Sequence, residues 1–340
     1  MRRTLLRMMA LGAMAATGVA IGCEKSGSEG GSAATPAQPT GGGGREYVFG
    51  VIAKSQANPV FQAARTGAED AARDLSAKHG MKIKIDWRTP NTEDAQQQAQ
   101  FIEQLVSLGV DGITVSCSDA AVLTGAINDA VDKGVAVATF DSDAPDSKRF
   151  AYYGINDEAA GRAVAAELVK AMGETGVVAV LAGNQSAPNL QARVRGIREE
   201  MAKYPGITIK DVYYHPETAP DAAAKVKDVQ VSNPDITGWA MVGGWPLFTE
   251  NALDGVADKA KVVSVDHLPE QLNYIRAGQV QALVGQDCYG WGYRTVEMLF
   301  DKVHENKSPE QVVNNFELSV VTSANVDEYA ETWNKWLGKK

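Results

Sequence analysis

The sequence predicts an α/β protein of two similar three-layer αβα lobes with parallel sheets, hinged, with the ligand in the cleft between them. Three observations carry this. From Tyr47 onward, short apolar runs alternate with amphipathic stretches, as βα units do. A second series of the same kind begins after a crossover over Phe150–Ile155. Polar and aromatic residues follow the apolar runs directly, at the strand edge where open α/β sheets bind ligands.

In the first series, YVFGVIA (47–53) is a strand, and Asn58-Pro59 opens a helix to about His79, Pro59 suiting a first helical turn. MKIKIDW (81–87) alternates as a strand does. Asp94 to Leu108 is amphipathic, with Phe101, Ile102, Leu105 and Leu108 on one face. GVDGITVSC (109–117) is a strand, and Ala120 to Lys133 is a helix stopped by Gly134. VAVATF (135–140) then reads as a buried parallel strand.

The second series runs helix 156–172, strand 177–182, helix 188–203, strand 207–213, helix 220–232, strand 237–242, helix 247–257, strand 261–265, helix 268–277 and strand 281–285. After Asp287 come an amphipathic helix (289–304), a strand-like VVNNFELSVVT (312–322) and a helix around Val326–Trp336, so the chain crosses between lobes more than once. This assigns residues 46–150 plus about 287–315 to an N-terminal lobe, and 151–286 plus about 316–340 to a C-terminal lobe.

Residues 1–22 read as a signal peptide. Arg2, Arg3 and Arg7 precede a weakly apolar stretch from Met8 to Ile21, and small residues then lead to Cys23. The pattern resembles a bacterial lipoprotein signal, in which the cysteine is lipidated after cleavage. Arg2-Arg3-Thr4-Leu5-Leu6 also resembles a twin-arginine export signal, so the export route stays open. Residues 23–45, rich in Gly, Ser and Pro, form a flexible tether. A tether behind a lipid anchor places the folded body in the periplasm or at the cell surface, held to a membrane.

Composition bounds the partners. The net charge is −9 and nothing basic clusters, which argues against nucleic acid. No apolar run reaches the roughly 18 residues of a membrane span. The three cysteines match no metal-ligand spacing, and neither a metal nor a cofactor is expected. Cys117 sits in the apolar GITVSC strand and Cys288 is its only possible partner; both are expected to be free.

The candidate site is the set of residues just past the strands. Lys54, Asn58 and Phe61 follow the first. Asp141 and Asp143 follow the fourth. Asn189 and Arg193 open the helix after VVAVLAG, Trp245 follows WAMVGG, Asp266 follows VVSV and Gln286 follows ALVG. Carboxylates accept, Arg donates through a planar fork and amides do both, which suits a polyhydroxylated neutral ligand. An aromatic face covers the C–H side of a sugar ring. Simpler roles stand beside these: Asp141 and Asp143 are also good turn residues, and Trp-Pro also fills a core. Trp87, Trp239, Trp291, Trp333 and Trp336 read as core or surface packing, and Arg195 as structural.

The ordered motifs NPxF after the first strand, FDSDAP after the fourth, Asn-x-Gln-Ala-Arg-x-Arg-Gly in the second lobe, Val-Asp after VVS and Gln after ALVG resemble the ribose-binding branch of periplasmic sugar-binding proteins. These are the type 1 solute-binding proteins of ATP-driven (ABC) sugar importers. The resemblance implies the periplasmic binding protein type 1 fold, a monomer, a sugar or polyol of the pentose or hexose class, and a membrane permease as partner. It also implies sugar contact by Asn58, Phe61, Asp141, Arg193, Asp266 and Gln286. Ser142 stands where that branch usually has Arg, and Lys54 with the DSD triplet is similar to rhamnose- and autoinducer-2-binding relatives, so the ligand stays open. A sensor or receptor using the same cleft is one alternative. A Rossmann-type enzyme is another, but no GxGxxG follows any strand and no Ser-His-Asp order or phosphate loop appears. The expected activity is binding, not catalysis.

Overall fold

The computed structural model describes residues 45–336. The signal peptide, Cys23 and the tether up to Gly44 lie outside the described residues. The first half follows the expected alternation: β1 (Glu46–Ile52), α1 (Val60–His79), β2 (Lys82–Trp87), α2 (Ala95–Ser107), β3 (Gly112–Val115), α3 (Ala120–Asp132) and β4 (Ala136–Phe140). The signals are local. Asp94 and Asp119 accept backbone N–H bonds from the first turns of α2 and α3. Gly80, at φ 65°, ends α1 in a left-handed cap. β3 is buried at every position, as a strand covered on both faces must be.

The segment expected to be a crossover instead holds β5 (Ala151–Gly154), which pairs parallel with β4. The first sheet therefore includes Ala151–Gly154, and the segment is a strand as well as a connection. Four residues, two of them tyrosines, are too few for a period to show.

The second series follows: α4 (Asp157–Met172), β6 (Gly176–Ala182), α5 (Pro188–Met201), β7 (Ile207–Tyr214), α6 (Ala219–Ser232), β8 (Gly238–Met241), β9 (Lys261–Val265), α7 (Pro269–Arg276) and β10 (Ala282–Gly285). The helix expected over 247–257 does not form. A short 3₁₀ turn at Trp245–Phe248 leads into irregular turns, where Asn251 and Gly255 take left-handed backbone at φ 58° and 72°. A right-handed helix cannot continue through such residues.

α8 (Cys288–Glu305) returns to pack on the first sheet. β11 (Val313–Asn315) pairs with β5, β12 (Ser319–Val321) pairs antiparallel with β10, and α9 (Val326–Trp336) packs on α7. The strand-like stretch is thus two short strands, one in each sheet. The sheet orders are β11-β5-β4-β3-β1-β2 and β12-β10-β9-β8-β6-β7, so the same strand order occurs twice, with the last strand parallel in the first sheet and antiparallel in the second.

The helix pairs repeat as well. α1 packs on α8, and α5 on α4, through glycines at the contact. A Cβ at Gly67 would lie 2.0 Å from the Tyr289 carbonyl oxygen, and one at Gly161 would lie 2.0 Å from that of Arg193. Close approach here fixes the helices whose first turns reach the cleft. Cys117 and Cys288 are buried with free thiols.

Candidate functional site

Asp141 is the first residue after β4. Its backbone is left-handed, φ 56°, which turns the carboxylate off the strand line. Ser116 Oγ, just past β3, donates to Oδ2 at 2.7 Å, and Tyr152 Oη donates to the Asp141 carbonyl at 2.9 Å. The second lobe reaches the same group: Asn189 Nδ2 donates to Oδ1 at 3.1 Å. Burial raises the Asp141 pKa, against the opposing pull of Lys54 and Arg193.

In the second lobe, Arg193 spends its guanidinium on three partners. Nε donates to Asp157 Oδ1 at 2.8 Å, one terminal nitrogen to the Val242 carbonyl at 2.9 Å, and the other to Gln286 Oε1 at 2.9 Å. That last nitrogen lies 4.0 Å from Asp141 Oδ1 in the other lobe. Gln286 Nε2 passes the chain on to Asp266 Oδ1 at 2.5 Å, and the Gly244 N–H donates to Asp266 Oδ2 at 3.1 Å. Burial pushes Asp157 up to about 7, Arg193 pulling the other way, and it raises Asp266 too.

Lys54 is 2% exposed and lies between two carboxylates. Its Nζ is 2.8 Å from Glu93 Oε1, in its own lobe, and 3.4 Å from Glu217 Oε2, across the cleft. Burial disfavours its charge, but Glu217, Glu93 and Asp141 more than offset that and raise its pKa. Burial lifts Glu93 to about 7, against the charge of Lys54. Asn184 ties the pair together: its N–H donates to Glu217 Oε1 at 3.0 Å and its Nδ2 to Glu93 Oε2 at 3.1 Å.

Phe61 and Trp245 supply aromatic walls, and Asn58 lies beside them. Trp291, on α8, is a third wall and packs on Phe61 and Phe140 with ring centroids 6.1 and 6.3 Å apart. A cavity of about 20 Å³ remains between these groups. That is room for about one water, so a ring-sized ligand needs the two lobes to part and re-close.

Nine of the ten residues expected from the sequence line this one cavity: Lys54, Asn58, Phe61, Asp141, Asn189, Arg193, Trp245, Asp266 and Gln286. Asp143 does not. Its carboxylate is held by Arg149, by Thr139 Oγ1 at 2.5 Å and by the Ala144 N–H at 2.8 Å, so it braces the loop behind Asp141. An arginine six residues downstream was the available signal. Sequence reasoning missed Glu93, Glu217, Asp157 and the lining role of Trp291. Glu93 and Glu217 follow β2 and β7, the edge strands, at a distance of several loop residues that gives no signal in the sequence. Arg195 pairs with Glu158 at the surface, 2.9 Å away.

Residues 49–307 match the periplasmic binding protein domain family. The D-allose-binding periplasmic protein of Escherichia coli (strain K12) is 26% identical over 276 residues, 76% of this chain and 85% of that protein. The ribose import binding protein RbsB of Bacillus subtilis (strain 168) is 27% identical over 161 residues, 47% of this chain; the chain spans about half the length of that relative, 50%. Among solved structures, an ABC transporter solute binding protein from Burkholderia graminis C4D1M, in complex with D-arabinose, is 28% identical. The likeness covers 83% of this chain and 97% of that one, with a TM-score of 0.76.

Proposed function

The chain belongs to the periplasmic binding protein domain family, and on that premise we propose that it captures a neutral sugar or polyol of the pentose or hexose class outside the cytoplasm and delivers it to the permease of an ABC transporter. The observation that supports this most is the meeting of Asp141 and Asn189 across the cleft, with Arg193 and Asp266 behind them. Carboxylates, amides and a guanidinium that bond to one another in the closed cleft can exchange those bonds for sugar hydroxyls. The aromatic walls of Phe61, Trp245 and Trp291 suit the C–H faces of a ring.

Lys54, Asn58, Phe61, Asp141, Asn189, Arg193, Trp245, Asp266 and Gln286 are the proposed contacts, with Trp291 added and Asp143 moved to a bracing role. The ligand acts by stabilising the closed state, and no bond is made or broken. The sugar class is carried over from relatives whose names specify ribose, D-allose and D-arabinose. Lipidation of Cys23, the tether over 23–45 and a monomeric body complete the proposal.

The test is mass spectrometry of ligand released from the purified protein, followed by calorimetry with that sugar and small-angle scattering. A released neutral sugar that binds again and compacts the protein is expected. A sugar panel giving neither heat nor compaction overturns the reading, as does release of an acidic or hydrophobic compound.

A further inference from the structure

Glu217 lines two cavities. On one side is the small chamber with Asp141, Arg193 and Asp266. On the other is a cavity of about 540 Å³ lined by Ser55, Glu93, Asn184, His215, Glu217 and Thr218. Both lobes build it: Ser55 and Glu93 lie past β1 and β2, the others past β6 and β7. Its polar side chains are hydroxyl, amide, carboxylate and imidazole.

Two of these side chains are more than nine-tenths buried and carry a polar atom with no hydrogen-bond partner. They are Ser55, 2% exposed, at Oγ, and His215, 6% exposed, at Nε2. His215 Nδ1 already meets the Pro216 carbonyl at 2.5 Å, so Nε2 is the nitrogen left over. The imidazole stands edge-on to Trp245, ring centroids 5.0 Å apart, and Trp245 lines the inner chamber. Burial holds His215 below its usual range, and because Nδ1 faces a carbonyl oxygen it carries the proton of the neutral ring, which leaves Nε2 as an acceptor for a ligand hydroxyl. A buried polar atom without a partner is costly, and a ligand hydroxyl would remove that cost.

The partition between the chambers is the Lys54–Glu217 pair. At 3.4 Å it is longer than the Lys54–Glu93 pair at 2.8 Å. Gly183 gives Glu217 its place, because a Cβ there would lie 2.7 Å from the glutamate side chain.

We infer that the cleft takes a two-ring glycoside, one ring in the inner chamber and a second hydroxylated ring in the outer one, with the linking oxygen passing beside Glu217. This rests on the sugar reading of the inner chamber and specifies its ligand. The second ring's hydroxyls meet Ser55 Oγ and His215 Nε2, and share the Glu93 and Glu217 carboxylates with Lys54 and Asn184.

The test is titration calorimetry on the full chain with free pentoses and hexoses and with disaccharides of the same sugars. Two variants separate the chambers. Ala57 is exposed and lines only the outer cavity, so Ala57→Trp fills that space from the surface. His215→Phe keeps the ring against Trp245 and removes the free nitrogen. The expected result is a disaccharide bound at least about tenfold tighter than any free monosaccharide, about 1.4 kcal/mol. Both variants should erase that margin and leave monosaccharide affinity within about twofold. If a free monosaccharide binds the parent as tightly as any disaccharide, or if neither variant narrows the margin, the outer subsite is wrong and the sugar reading stands. If neither class of sugar binds the parent, both are wrong.

Discussion

Asp141 and Asp266 hold the same place in the two sheets. Each is the first residue after its strand, β4 or β9, and each has left-handed backbone, φ 56° and 75°. Left-handed backbone is costly for most residues, and after glycine Asp and Asn tolerate it best. The repeated strand order therefore aims two carboxylates into one cleft from opposite sides. The Arg193–Gln286 bond connects them, with Arg193 4.0 Å from Asp141 and Gln286 2.5 Å from Asp266.

Asp141→Asn keeps the backbone and removes a charged acceptor. Hydrogen bonds to charged groups contribute about 1.5–3 kcal/mol, so sugar affinity should fall roughly 10- to 100-fold with little loss of fold stability. Asp141→Ala adds the strain of a left-handed alanine, about 1–2 kcal/mol. Chemical denaturation should rank parent and Asn variant together, with Ala below both. An Ala variant as stable as the Asn variant would show that the backbone angle is not what selects this residue.

Gly161→Ala tests how Arg193 is placed. Helix propensity alone favours Ala over Gly by about 1 kcal/mol. Here the new methyl would press on the Arg193 carbonyl, 2.0 Å from its Cβ, and must drive α4 from α5. Overpacking of this kind costs about 1–3 kcal/mol. The expected outcome is lower stability and weaker sugar binding together, whereas propensity acting alone would raise stability and leave binding intact.

Much of this was legible in the sequence. Parallel strands covered on both faces are short continuous apolar runs, so the residues after them, Asp141, Asp266 and Gln286 among them, can be read off in order. What escaped was short or formed by distant parts of the chain. β5 has only four residues. Asn251 and Gly255 break a stretch whose period looked helical. Glu93 and Glu217 acquire their role only through Lys54 and Asn184, neighbours that loop positions in a sequence do not disclose. Trp291 was read as packing, and it does pack, on Phe61; it also faces the cavity because α8 crosses back to the first lobe.

Arg193→Lys removes geometry while keeping charge. Three nitrogens of the guanidinium reach Asp157, Val242 and Gln286, and one ammonium cannot span those directions. Losing two of these buried bonds should cost about 2–4 kcal/mol shared between stability and binding. Calorimetry and denaturation on the same preparation separate the shares. A lysine variant that binds and folds as the parent does would mean that charge alone suffices.

The pH dependence of stability carries two opposed signals. Glu93 keeps its proton to about 7 in the folded chain, mainly because it is buried, against 4.5 for an ordinary glutamate. Between those values the folded state binds more protons than the unfolded, so this group's contribution falls as pH rises from 4.5 to about 7. His267, 3% exposed and packed against Tyr329 and Trp333, behaves the other way. Burial lowers it from 6.5 to about 4, so the unfolded state binds the extra proton and stability is lost as pH falls from 6.5 to about 4. The full effect of His267 is up to about 3 kcal/mol. Denaturation midpoints of the ligand-free protein at pH steps from 4 to 8 should therefore differ by variant, pH 4 and 8 being roughly the ends of both windows. Relative to the parent, Glu93→Gln should gain stability as pH rises through the upper window, and His267→Gln should gain as pH falls through the lower one. Parallel curves for parent and Glu93→Gln would mean that the Lys54 cluster keeps Glu93 ionised throughout.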